Sequence, residues 1–381
     1  MKASLKRRLR IYAAIIGALV AFKLVWFALE AESGSALVAP VIAAAPCARL
    51  VERLDTLVER LTGADDLGWA TGQMDEQFQG EWRIVSLSMT AIGSANLATA
   101  GCTTRERALD VTGRLLERAL SPEARAFDTA QWGEDALATL DESDARHAHI
   151  GYLAHLAMVM SAHRAVGGTR HESERVRIID ALARRITAMP SVYLPTYPGE
   201  TYAMDNSVVI AAIGVDGRYA DVVARFIDHT RTHLLDARTG LVVFALDRTG
   251  APLTMSRGSG AGWNAFWLPF ADREFADEQW ARLREHFLVS GFGLTAAREF
   301  PVGVEGTGDA DSGPVLLGLS PAGTGFAVGG AAWARDGYTL GRLLGTAEMA
   351  GFTTSWGGRR YLLAPVVGDA ILLAMTTSRP W

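Results

Sequence analysis

The stretch Thr196-Tyr197-Pro198-Gly199-Glu200-Thr201-Tyr202-Ala203-Met204-Asp205-Asn206-Ser207 ends one helical pattern and opens the next. Pro195, Pro198 and Gly199 stop the periodicity that precedes them. Asp205 and Asn206 then run directly into Val208-Val209-Ile210-Ala211-Ala212. Asp and Asn ahead of an apolar run suit a helix N-terminus, because their side chains accept from unpaired backbone N–H groups. The same arrangement sets a carboxylate, Tyr197, Tyr202 and Glu200 at a helix mouth, where the positive end of the helix dipole tunes acidity. A plain capped loop and a functional site both fit the stretch, so the rest of the chain has to decide.

On either side of it the pattern is helical. Apolar spacings of three and four residues predict helices at about 48–62, 81–99, 104–119, 146–166, 171–188, 206–214, 218–235, 262–271, 276–289, 312–319, 323–334, 338–350 and 366–376. Short strand signals stand at Leu241-Val242-Val243-Phe244 and Arg360-Tyr361-Leu362-Leu363. About a dozen helices of similar length, with longer loops after alternate helices, predict an all-α chain closed into an (α/α)6 barrel of helical hairpins over 47–381. An open solenoid is the alternative, but no fixed-period repeat supports one. A barrel of this kind gathers its long loops at one end, and functional residues belong there.

The chain has 381 residues, 49% of them hydrophobic, with 37 basic against 42 acidic residues and a net charge of −5. That balance argues against nucleic acid as a partner. With no glycine-rich phosphate loop, CxxC or HExxH motif, neither a cofactor nor a metal is expected. Lys2, Lys6, Arg7, Arg8 and Arg10 precede an apolar run from Ile11 to Leu29, broken only by Lys23, which at about 1.5 Å per residue spans roughly 28 Å, just enough for a bilayer core. Residues 1–30 therefore read as a transmembrane anchor, with 31–46 as linker and the bulk of the chain periplasmic or otherwise extracytoplasmic. The rival is a cleaved signal peptide ending near Ala43-Ala44-Ala45, but those small residues lie well beyond the apolar run. In an exported chain Cys47, opening one predicted helix, and Cys102, just past the end of the next, suit a disulfide. Two unrelated buried thiols are the equal alternative.

Three segments carry candidate chemistry. On the predicted helix from His147 to Val166, His155 shares a face with Gly151 and Tyr152. The opening stretch supplies Tyr197, Glu200, Tyr202, Asp205 and Asn206. The run Glu305-Gly306-Thr307-Gly308-Asp309-Ala310-Asp311-Ser312-Gly313-Pro314 begins like a calcium loop but has Ser320 where an EF-hand needs Glu. Pro314 reads instead as the first residue of a helix, which places Asp309 and Asp311 just before its N-terminus. Carboxylates converging in a funnel can divide acid and base roles. Trp132, with Glu134 and Asp135, and Trp263, with Asn264 and Trp267, are candidates to line the same cleft. His229 and His233 have metal-ligand spacing, but they sit in the last turns of a helix with no third ligand evident, and read as structural.

The segment from His155 through Gly167-Gly168-Thr169, the run Tyr202-Ala203-Met204-Asp205-Asn206-Ser207-Val208, and Gly306 to Gly313 resemble the linalool dehydratase/isomerase family in order and spacing, over roughly residues 80–376. The resemblance implies an (α/α)6 barrel in the periplasm that removes or adds water, or isomerises, small terpenoid-like alcohols without a cofactor. By resemblance, His155 matches the family's active-site histidine, and Thr196 and Asp205 fall where it has two active-site cysteines. Leu87 stands in place of a tyrosine, and Asp65 or Asp66 are the positions open to its N-terminal catalytic aspartate. With both thiols replaced, an acid–base pair would have to be rebuilt around carboxylates. The expected activity is thus that of a lyase or isomerase, with His155, Asp205, Asp309 and Asp311 catalytic. Tyr152, Tyr197, Glu200, Tyr202, Asn206, Trp132 and Trp263 would bind a small-molecule substrate. A glycan-active hydrolase or lyase on the same barrel and a non-catalytic, membrane-tethered binding protein are the alternatives. A homo-oligomer is left open.

Overall fold

The computed structural model describes residues 33–63, 76–142 and 144–381, with some positions between 11 and 25. Most of the expected anchor, and Asp65 and Asp66, lie outside the described residues. Among the described residues no helix is long and apolar enough to cross a membrane.

The chain is mostly helical with few strands, and its helices come in pairs. Ala44–Thr62 (α1) leads into Glu76–Thr99 (α2); Arg105–Ala119 (α3) and the shorter Pro122–Trp132 (α4) lead into Ile150–Ala165 (α5). Glu172–Ala188 (α6) precedes Ala203–Asp216 (α7), and Ala220–His233 (α8) precedes Gly258–Trp267 (α9). Arg273–His286 (α10) leads to Pro321–Trp333 (α11), and Gly337–Gly351 (α12) to Val366–Thr376 (α13). The second members form a closed succession: α2 packs on α5, α5 on α7, α7 on α9, α9 on α11, α11 on α13, and α13 back on α2. The first members pack outside it, for example α3 against α2 and α5, and α6 against α5 and α7.

The two sets differ in sequence for a physical reason. An outer helix keeps one wet face, so α3 buries Ala108, Val111, Thr112, Leu115, Leu116 and Ala119 at the helical period. Inner helices have no such face: Ile84 to Leu97 on α2, Ile150 to His163 on α5 and all of α9 are buried. Glycines let α9 pack closely. A Cβ on Gly258 would stand 1.8 Å from the carbonyl oxygen of Arg298, in the connection to α11, and one on Gly262 2.9 Å from Cβ of Phe326 on α11.

The connections into α5, α7, α9, α11 and α13 are long (133–149, 189–202, 234–257, 287–320 and 352–365), whereas those leaving the inner helices are short. Three contacts bring the starts of inner helices together. Tyr197, just before α7, reaches both Glu81 on α2 and Gly151 on α5. Thr201–Tyr202 (β1) pairs antiparallel with Ala245–Leu246 (β2), tying the connections into α7 and α9. Glu299, in the connection to α11, bonds Ser259 on α9. That connection also carries the antiparallel strands Leu288–Gly291 (β3), Leu294–Arg298 (β4) and Leu319–Ser320 (β5).

Several expectations are corrected. Residues 312–319 are not helical; α11 begins at Pro321 with Ser320 as its cap, accepting from the Gly323 N–H. The cause is local, because Asp309 and Ser312 close a side-chain turn on each other and Leu319–Ser320 joins β4. Helix α7 starts three residues earlier than predicted, at Ala203, so Asp205 and Asn206 lie inside its first turn rather than capping it. Helix α5 starts at Ile150, leaving His147 and His149 outside its regular turns. Helix α4, over Pro122–Trp132, was not expected. Only Ala245–Leu246 follows the expected strand at 241–244. Within the expected linker, Gly34–Leu37 forms a helical turn packed on α12.

Cys47 in the first turn of α1 and Cys102 just past α2 form a disulfide, their Cα atoms 5.0 Å apart. It closes a loop with a sequence separation of 55. Constraining such a loop stabilises by about 2–4 kcal/mol. The Cys47→Ser, Cys102→Ser double variant is therefore expected to unfold at clearly lower denaturant than the oxidised protein, and to lose all sensitivity to reductant in the same titration.

Candidate active site

The opening stretch folds back on itself before α7. Thr196 N–H donates to Glu200 O at 2.8 Å and Glu200 N–H to Tyr197 O at 3.0 Å, with Gly199 at the tip in the left-handed region (φ +85°). Asn206 pins the fold-back. Its Oδ1 accepts from Leu194 N–H at 2.7 Å, and its Nδ2 donates to the Leu194 and Tyr202 carbonyls, both at 2.9 Å. Asn206 is fully buried and committed to these bonds, so its role is to position its neighbours rather than to touch a substrate.

The group so positioned is Asp205. Thr196 Oγ1 donates to Asp205 Oδ2 at 2.8 Å, joining the two positions at which the resemblance aligns the family's cysteines. Burial pushes the Asp205 carboxyl up to about 7; the Thr196 hydrogen bond opposes the shift and the charge of Asp311 adds to it. Asp311 is itself raised to about 6, first by burial and then by Asp309. Asp311 is thus near enough for its charge to disfavour ionisation of Asp205, and both carboxyls are held above the ordinary aspartate value.

Asp309, two residues away, behaves oppositely. Burial works against its ionisation, but hydrogen bonds from Arg257 and Ser312 outweigh that and hold its pKa below the usual value. Arg257 also donates from Nε to Glu299 Oε1 at 2.6 Å, with its guanidinium 4.5 Å from the centre of the Phe244 ring. The fully buried Glu299 accepts in addition from Ser259 Oγ at 2.8 Å. This network anchors the loop that presents Asp311, and Asp309 belongs to the anchor.

Tyr202 donates to Glu200 Oε2 at 3.0 Å; burial first, then Glu200, Asp311 and Asp205, raise its pKa. Tyr197 donates to Glu81 Oε2 at 2.8 Å, and burial with the Glu81 charge keeps the phenol neutral. Gly151 lies beside this ring: a Cβ there would make ordinary van der Waals contact with the Tyr197 hydroxyl, 3.5 Å away. One turn further along α5, His155 lies 6.1 Å from Trp263 and 5.8 Å from Trp267, ring centre to ring centre. Burial pushes its pKa down to about 3, so the imidazole is neutral. His155 Nδ1, Trp263 Nε1, Trp267 Nε1 and Asn264 Oδ1 are buried and have no hydrogen-bond partner among the described residues. Together these side chains make a buried aromatic cluster with unsatisfied polar atoms.

Two predicted residues point elsewhere. The Tyr152 hydroxyl donates to the Ala119 carbonyl at 2.9 Å, on outer helix α3. The Trp132 ring lies tilted against His149, ring centres 4.8 Å apart, in a separate cluster at the end of α4. His229 and His233 have ring centres 4.7 Å apart on outer helix α8. Glu81, Arg257 and Glu299 were not anticipated. Their partners lie 116, 52 and 42 residues away in sequence, so no local pattern marks them. No protein-family model matches the chain, and no curated protein matches its sequence.

The raised pKa values have a stability consequence. Between the ordinary aspartate value and about 7 the folded protein holds a proton on Asp205 that the unfolded chain releases. Stability from this group is therefore present at low pH and lost as pH rises through the folded value. Asp205→Asn is expected to raise the unfolding temperature at pH 8, with the gain shrinking toward zero by pH 4. Thermal unfolding across that range checks it, and a gain independent of pH would contradict it.

Proposed function

We propose that the ring of six helices inside six is an (α/α)6 barrel and that the chain is a cofactor-free lyase or isomerase acting on a small, largely apolar alcohol. The observation that carries this reading is Asp205: a buried carboxyl hydrogen-bonded by Thr196, raised toward neutral pH and within reach of the charge of Asp311. In a dehydration, protonated Asp205 gives its proton to the substrate hydroxyl as the C–O bond breaks and water leaves. Ionised Asp311 takes the proton from the adjacent carbon, and the C–H electron pair becomes the double bond. Return of the proton from Asp311 to Asp205 then resets the pair. Water is lost without net oxidation or reduction, so no redox partner enters the balance. Neutral His155 and Tyr202 offer hydrogen bonds that orient the hydroxyl.

Burial of the aromatic side chains favours this substrate class over a glycan. Tyr197 and Trp263, which an oligosaccharide would need as open platforms, are 6% and 4% exposed. The resemblance to linalool dehydratase/isomerase supports the same reading, with Thr196 and Asp205 bonded at its two cysteine positions. The Cys47–Cys102 disulfide fits an oxidising compartment, in keeping with a body outside the cytoplasm tethered through residues 1–30.

Turnover of small alkenols should follow a bell-shaped pH profile, rising as Asp311 ionises near 6 and falling as Asp205 ionises near 7. Asp205→Asn should lower kcat by about 10²–10⁴-fold, and Asp311→Asn should remove the acid limb. Alkenol turnover unaffected by Asp205→Asn would overturn the assignment. Oligosaccharide hydrolysis dependent on Asp205 would replace the substrate class.

A further inference from the structure

A second cluster lies apart from the Asp205 site, where α4 ends and the connection to α5 begins. Glu134, Glu142 and His147 each offer one ligand atom, and the three atoms lie within 4.8 Å of one another. Glu134 Oε1 stands 2.6 Å from His147 Nδ1 but has no aligned hydrogen bond. An acidic cluster on its own is often only solvated; here a buried histidine is aimed into it. His149 is 0% exposed, and its Nε2 has no hydrogen-bond partner among the described residues and lies 3.6 Å from Glu134 Oε1. Its other ring nitrogen, Nδ1, is 2.6 Å from Oδ2 of the fully buried Asp128.

That last contact fixes the chemistry of the ring. A carboxylate accepting from Nδ1–H selects the tautomer whose lone pair is on Nε2, the nitrogen turned toward Glu134. A lone pair facing a carboxylate oxygen is repulsive unless a cation or proton lies between them. A carboxylate behind an imidazole that faces further donor atoms is the usual surrounding of a metal-binding histidine.

We propose that His149, His147, Glu134 and Glu142 bind a divalent transition-metal ion of the zinc type, with Asp128 as the positioning residue behind His149. Two imidazoles and two carboxylates suit zinc better than calcium or magnesium, which prefer all-oxygen shells. Four protein ligands make a closed, structural site. It would clamp the connection that leads into α5, the helix carrying His155. The contact between His147 and Glu134 opens to admit the ion, and both side chains are exposed enough to move.

The test uses the chelator-stripped protein titrated with Zn²⁺ against a chromophoric competitor, with the unfolding temperature read with and without zinc. One zinc per chain is expected, with a zinc-dependent rise in unfolding temperature. His147→Ala and Glu134→Gln, both at partly exposed positions, should each weaken binding at least about tenfold, and Asp128→Asn by about 10–100-fold. His229→Ala, which removes the histidine pair on α8, should leave binding unchanged. No stoichiometric zinc would overturn the proposal, as would binding that survives His147→Ala with Glu134→Gln or is lost on His229→Ala. Because His149→Ala empties a buried position, the surface variants carry the test.

Discussion

Each inner helix is enclosed by two ring neighbours and an outer helix, so a polar side chain on it costs free energy unless it finds a partner inside the protein, and an ionisable one without enough partners carries a shifted pKa. This constraint organises the molecule. Asn96 on α2 meets it with the Ala374 carbonyl and the Trp381 indole N–H. Asp369 on α13 meets it through Arg53 at 2.7 Å and the Tyr361 N–H. His155 meets it by staying neutral. Asp205 meets it with one hydroxyl donor, Thr196, and a raised pKa.

The contrast between Asp309 and Asp311 shows how finely the long connections divide charge. Both lie on one loop, two residues apart. Arg257 bonds the first, and hydrogen bonds hold it ionised; the second has no such partner and burial raises it. Arg257 is shared with Glu299 and stacked on Phe244, which fixes its position on the Asp309 side. The network that anchors the loop thus holds Asp309 ionised, whereas at Asp311 burial and the Asp309 charge outweigh the pull of Arg257.

The helical character, most helix positions and the stretch around Asp205 were legible in the sequence, because periodicity, Pro–Gly breaks and an unusual density of polar residues are local signals. Boundaries failed where side chains found distant partners. Asp205 and Asn206 look like caps in sequence, but Thr196 and Leu194 claim them once the loop folds back. The helix expected over 312–319 gave way to a strand pairing with residues some twenty positions earlier. Glu81, Glu299 and the Asp128–His149 contact carry no sequence signature, since each arises from residues far apart in the chain.

The sequence by itself determined which segments are helical, which helices keep a wet face, and which polar residues are unusual in apolar surroundings. These properties depend on the spacing of side chains within a dozen residues. Only the tertiary structure decided which carboxyls are held ionised and which are raised above the ordinary value. The ionisation of a buried group depends on charges and hydrogen-bond donors a few ångströms away, whatever their separation along the chain.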